Sequence, residues 1–577
     1  MWPFSSNSWQ VVRDQKCAAR DAAIASTLKA IGVHEEGDVA FTSATASEIV
    51  KRIESGQWTA RQVVEAFIRQ AAIAQAETNC LTEILFDQAI EDAAALDKEF
   101  AATKQLRGPL HGVPVSVKDQ YEVVGYDATI GFTQWANKPC TADADLVRQV
   151  RAAGGIIFAK TNVPQTMLSF ESVNPLWGRT VNPWSKDHAA GGSTGGEGAL
   201  LALSGTAIGL GSDIGGSLRI PTAYCGIYSL KPGHGRLSPF GTKSPQPGFE
   251  AVHTVVGPMA RSVDDVELFC RTCFGAPGLE REEIAPVPYR DVTLPAKLRF
   301  GYYKTDGFVK TSPACQRAVT ETVAAMQKAG HECVEIDVTA FVPDSLILFA
   351  SLTSADGYKK LLSHLGPDPR ESSLFLVTLG PRLPSFIRNF AAWAASTIIG
   401  DKIFGNLMRQ SRTKSTFEFI DLISQKQQFR RKFYEQIWAK HALDGIIAPV
   451  QATPALPHGA TTTLSPLAAA TLLYNIVDSP AGVIPVTRVS PTADIITPEF
   501  FAQPGGGSSL LEADLYKGKT PFYDAVKMQG LPVGVQVVGK SWEDEKVVAM
   551  MRVVDNALGE RGFGPAAPWA KKNVNGV

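Results

Sequence analysis

Two glycine-rich loops, each carrying serine, concentrate the residue types in this sequence that could do chemistry. The first is Gly191-Gly-Ser193-Thr-Gly-Gly-Glu-Gly198 and the second is Gly211-Ser-Asp213-Ile-Gly-Gly-Ser217-Leu-Arg219. Glycines let backbone N–H groups crowd around one point, which is how anions and oxyanions are held. A serine hydroxyl beside such a cradle becomes a nucleophile once a base takes its proton. Upstream of both loops, Lys118 ends the apolar run Val113-Pro-Val-Ser-Val117.

Four readings compete for these loops. A Walker phosphate loop needs Lys-Ser/Thr after its last glycine, but Gly196 is followed by Glu197. A dinucleotide fingerprint fails on glycine spacing and on the missing downstream acid. Gly191-Gly-Ser193-Thr-Gly195 matches the nucleophile elbow of α/β-hydrolases, but that turn follows a strand directly, and residues 181–188 read as a loop. The fourth reading takes both loops together with Lys118. Singly, a strand-ending lysine is usually solvated and either serine is an ordinary turn residue; the joint occurrence favours catalysis.

The elements that must position these residues alternate along the chain. Residues 1–100 read as a helical arm, with capping boxes at Thr45-Ala-Ser-Glu48 and Thr59-Ala-Arg-Gln62. Val63, Val64, Phe67, Ile68 and Ala71 share one face of the helix after the second box. From about residue 108, short apolar runs read as buried strands: Pro114–Val117, Gly155–Ala159, Ala207–Gly211, Leu298–Tyr303, Gly445–Val450, Ala481–Val489 and Pro532–Gly539. Helical stretches fall between them, around Ala142–Ala153, Glu197–Ser204, Pro313–Ala329, Phe417–Ala439 and Trp542–Leu558. The alternation predicts an α/β fold: a mixed, mostly parallel central sheet with helices on both faces, in one catalytic domain spanning 101–577. Pro504–Ser509 reads as a surface loop.

Through Gly112-Val-Pro-Val-Ser-Val-Lys118-Asp and the two serine loops, the sequence resembles the amidase signature family. Lys160-Thr-Asn-Val-Pro-Gln165, Asn174-Pro-Leu-Trp-Gly178 and Pro532-Val-Gly-Val-Gln536 add to the resemblance, which runs from about residue 40 to 560 and is similar to fungal acetamidases and fatty-acid-amide hydrolases. It implies Ser217 as nucleophile, Ser193 as a bridging serine after a cis peptide bond, and Lys118 as base. It also implies an oxyanion hole from the N–H groups of Ile214, Gly215, Gly216 and Ser217, with Thr194, Asp213 and Arg219 bracing the loops. A lysine neutral at pH 7 costs about 4.6 kcal/mol, which burial can supply. The implied reaction turns a carboxamide into an acid and ammonia or an amine through an acyl-serine, without cofactor or metal. Acyl transfer or ester cleavage by the same three residues is the enzymatic alternative, and a non-catalytic binding subunit is the other. Two departures stand out: Thr194, where a second serine is common, and the polar Asp187-His188 ahead of the first loop.

Composition limits the partners. Fifty-six Lys+Arg against 57 Asp+Glu leave a formal charge of −1, which argues against nucleic-acid binding and suits a neutral small-molecule or acyl-chain amide. No secretory signal or stretch of about 18 apolar residues is visible, and eight scattered cysteines suit reduced thiols, so a cytoplasmic protein is expected. Residues 383–408 carry Phe386, Ile387, Phe390, Trp393, Ile398, Ile399, Ile403 and Phe404 among few charges. This segment reads as a core helix or homodimer face, with an apolar channel or membrane contact as the lesser alternative.

Overall fold

A computed structural model describes residues 8–35, 37–279, 283–503 and 506–565. Eleven strands form the central sheet: β1 (Leu81–Ile84), β2 (Pro114–Lys118), β3 (Ile156–Thr161), β4 (Ile208–Asp213), β5 (Tyr228–Lys231), β6 (Val255–Ala260), β7 (Arg299–Tyr302), β8 (Glu332–Glu335), β9 (Gly445–Pro449), β10 (Ala481–Arg488) and β11 (Pro532–Val538). Their order across the sheet is β1-β3-β2-β4-β6-β5-β10-β11-β9-β7-β8. All seven expected strands are present, within a residue or two of their expected ends. The strands β2, β3, β4, β9 and β11 are buried throughout, as apolar runs in the middle of a covered sheet must be.

The sheet corrects the expected strand directions. Four neighbouring pairs are parallel (β2–β3, β2–β4, β7–β8 and β7–β9), while the other six are antiparallel. A crossing helix makes neighbours parallel, whereas a connection that returns at the same end makes them antiparallel. Residues 232–254, between β5 and β6, contain no helix and return directly; the long segment 489–531 likewise brings β11 back beside β10.

Among the described residues of the first hundred, the elements are helices with one strand, β1, between them. Both capping boxes form, at Thr45 and Thr59, and open the Ala46–Glu54 and Ala60–Thr78 helices. Val63, Val64, Phe67, Ile68 and Ala71 are fully buried, as the shared face predicts. Strand β1 then joins the sheet edge antiparallel to β3. These helices pack into the same apolar cluster as the strands that carry the serine loops. Residues 181–189, expected as a loop, form a small hairpin (Val181–Asn182 with Ser185–Ala189) outside the central sheet. Pro504 and Gly505 of the expected surface loop lie outside the described residues.

Residues 383–408 fold as two helices, Ser385–Trp393 and Lys402–Gln410, joined by a wide π-helical turn. The core-helix expectation fails for much of this segment. Ala392, Ala395 and Leu407 are buried, but Phe386, Ile387, Phe390, Trp393, Ile398 and Ile399 are exposed. Among the described residues, no helix is long and apolar enough to cross a membrane.

Candidate active site

Lys118 is the last residue of β2, and its side chain is fully buried. Its Nζ donates to Ser193 Oγ at 2.7 Å and to Ser212 Oγ at 2.9 Å. Ser212 in turn donates to Gln120 Oε1 at 2.6 Å. Burial lowers the lysine's pKa to about 7, against the opposing pull of Asp213 and Glu197. The lysine is therefore poised to lose or take a proton near neutrality.

Ser193 sits in the turn before the Gly195–Ala202 helix, and the Gly192–Ser193 peptide bond is cis. Thr194 is buried behind it, and its N–H donates to the Ser217 carbonyl at 3.2 Å, which joins the two loops. The Thr194 side chain packs over Gly211, where an added Cβ would come within 2.7 Å of Cγ2. The extra methyl therefore fills space between the loops.

Ser217 lies between β4 and the Arg219–Cys225 helix. At 9% exposure it is the most open of the three residues, against 2% for Ser193 and 0% for Lys118. Its loop is braced by a buried ion pair. Arg219 grips Asp213 with Nε to Oδ2 at 3.1 Å and Nη2 to Oδ1 at 3.0 Å. Asp213 also accepts the backbone N–H groups of Gly216 and Leu218. Burial would raise the Asp213 pKa, but the Arg219 charge and hydrogen bonds hold it well below the usual carboxylate range. Arg219 further donates to the Thr471 carbonyl, Gln536 Oε1 and Asn475 Oδ1, so the loop is tied to the Ala469–Ile476 helix and to β11. Gly216 has φ +130°, and a Cβ there would lie 2.3 Å from Thr471 Oγ1.

A cleft opens onto these loops, lined there by Gly192, Ile214, Gly215, Gly216 and Ser217. Its walls are mainly apolar: Phe170, Leu346, Phe349, Leu379, Phe404, Leu407, Met408 and Leu472 among others. Phe404, Leu407 and Met408 come from the second helix of the 383–408 segment, so one side of that pair faces the cleft while other side chains face outward.

The profile of the amidase family matches residues 62–548. The chain belongs to the amidase family. It is 33% identical to an acetamidase of Emericella nidulans over 96% of this chain and 95% of the relative. It is also 33% identical to fatty-acid amide hydrolase 1 of Sus scrofa, over 89% and 85% respectively. A solved fatty acid amide hydrolase superposes with a TM-score of 0.79 at 26% identity, covering 97% of this amidase-family chain and 91% of its own.

The structure thus sets Lys118 against Ser193, ties the Ser193 loop to the Ser217 loop through Thr194, and braces the second loop with Asp213 and Arg219. It also adds partners that the sequence reading missed. Ser212 and Glu197 lie inside the quoted motifs, so the signal was present without a role attached. Gln120 is two residues beyond Lys118. Gln536 closes the quoted Pro532–Gln536 stretch, again without a role attached, whereas Thr471 and Asn475 sit more than 250 residues beyond the second loop and no local pattern marks them.

Proposed function

We propose that this protein hydrolyses a carboxamide with an apolar acyl portion, through an acyl-Ser217 intermediate. The observation that carries the reading is the buried Lys118, hydrogen-bonded to Ser193 beside the loop that presents Ser217. In the reaction, Ser217 Oγ attacks the carbonyl carbon while its proton passes to Ser193 Oγ, whose own proton passes to Lys118. The carbonyl oxygen becomes an oxyanion held by backbone amides. Gly216 N–H already donates to Asp213, which leaves the amides of Ile214, Gly215 and Ser217 for that task. The relay then runs backwards: Lys118 returns the proton by way of Ser193 to the amide nitrogen, the C–N bond breaks, and ammonia or an amine departs. Water repeats the cycle on the ester and frees the acid.

The apolar cleft supports an acyl chain rather than a charged group on the acyl side. The acetamidase and fatty-acid amide hydrolase names of the relatives bracket the chain lengths to be tested. A cytoplasmic setting fits the eight unpaired cysteines. The test is ammonia release from acetamide, hexanamide and longer amides, with the matching esters and an added amine acceptor alongside. Turnover of amides to free acids, abolished in Ser217→Ala, is expected. Acyl transfer outrunning hydrolysis would move the assignment to an acyltransferase, and unchanged turnover in Ser217→Ala would overturn it.

A further inference from the structure

Glu197 lies in the first turn of the Gly195–Ala202 helix, four residues after Ser193, and is fully buried. Its two oxygens meet hydroxyls rather than a cation. Ser116 Oγ lies 2.5 Å from Oε2, and Thr161 Oγ1 donates to Oε1 at 2.8 Å. Ser116 belongs to β2 and Thr161 to β3, so one carboxyl spans two strands and the helix that follows the Ser193 turn. Side chains alternate along a strand, which puts Ser116 and Lys118 on the same face of β2. The carboxyl also fills the space over Gly209 of β4, where an added Cβ would lie 2.3 Å from Oε2.

We propose that Glu197 is a positioning residue that works as a neutral carboxylic acid, clamping β2 and β3 to the helix after Ser193 while leaving Lys118 free of the proton. The inference rests on the reading of Lys118 as the base. A charged carboxylate at this depth, with hydroxyls alone in contact, would be poorly solvated. Burial pushes the Glu197 pKa up to about 8, while Ser116, Thr161 and Lys118 pull the other way. The titratable groups that face it are Lys118 on β2, Cys80 just before β1 and Tyr121 just after β2. The thiol and the phenol are themselves pushed up by burial and stay neutral, so Lys118 is the group that responds. A negative Glu197 would favour the ammonium form of Lys118 and remove the base. With the proton on Oε2, the acid becomes the donor in the short pair with Ser116.

Infrared spectroscopy of the whole protein tests this directly. Wild-type minus Glu197→Gln spectra at pH 7 are expected to contain a protonated-carboxyl C=O stretch that shifts in D2O and fades on alkaline titration. Ser116→Ala, which removes the 2.5 Å partner, is expected to move that band. If Glu197→Gln fails to fold, the wild-type titration and Ser116→Ala carry the same readout. In Glu197→Gln the acid limb of the pH profile is expected to lie where it does in the wild type, because a neutral acid adds no charge beside Lys118. A carboxylate signature at pH 7, or an acid limb displaced downward by more than about one unit in Glu197→Gln, would overturn the proposal. The infrared band does not depend on turnover. Its absence therefore contradicts this inference alone, whereas activity that survives Ser217→Ala contradicts the amidase reading.

Discussion

Lys118 meets two hydroxyls at the end of a buried strand, and this surrounding has opposite consequences for activity and stability. The unfolded chain keeps the lysine proton up to about pH 10.4, whereas the folded one sheds it near 7. Between those values the unfolded state binds more protons, so stability rises with pH across the window and the penalty is fully present below pH 7. Lys118→Met is therefore expected to abolish amide turnover while raising the melting temperature at pH 6, by the equivalent of a few kcal/mol. Calorimetry beside an ammonia assay checks both halves; lower stability at pH 6 would contradict the strain assigned to this lysine. The same shift predicts that kcat/KM falls as pH drops through about 7, because the base must be unprotonated to receive the Ser193 proton.

At the scale of elements, the Ser217 loop is held in shape by groups far away in sequence. Arg219→Met would leave Asp213 buried and without its cation, a loss of about 3–5 kcal/mol measurable by denaturant unfolding. Gly216→Ala acts differently. The new methyl would press on Thr471 Oγ1, which donates to the Gly215 carbonyl, and so would turn the amides that face the cleft. Its expected signature is turnover slowed by about a hundredfold, with a far smaller change in stability.

Much of this level was legible in the sequence, because the seven longer apolar runs mark buried strands and the motifs mark Lys118, Ser193 and Ser217. The four missed strands have physical reasons. Glu332–Glu335 is a short, charged edge strand; Leu81–Ile84 is four residues between helices; Tyr228–Lys231 is four residues in which Ser and Lys break the apolar run; and Val255–Ala260 is interrupted by Gly257-Pro258. Strand direction was not legible either, since it depends on which connections cross the sheet. The Arg219 partners at 471, 475 and 536 meet it only through the tertiary fold.

Across the whole molecule, charge balance and the apolar cleft point to the same substrates. With a net charge of −1 and an uncharged amide, electrostatic steering has nothing to act on, so kcat/KM should barely change between low and physiological ionic strength. Each methylene that the cleft buries is worth about 0.8 kcal/mol, so lengthening the acyl chain should raise kcat/KM by up to about fourfold per carbon until the cleft is filled. A series of straight-chain amides reads this as a rising line with a break. The central claim is that Ser217, activated through Ser193 by Lys118, becomes acylated. Its most direct test is peptide mapping of the protein after reaction with a fluorophosphonate. The account predicts one covalent adduct, on Ser217, that is lost in Ser217→Ala and much slower to form in Lys118→Met. No adduct, or one on another residue that persists in Ser217→Ala, would contradict it.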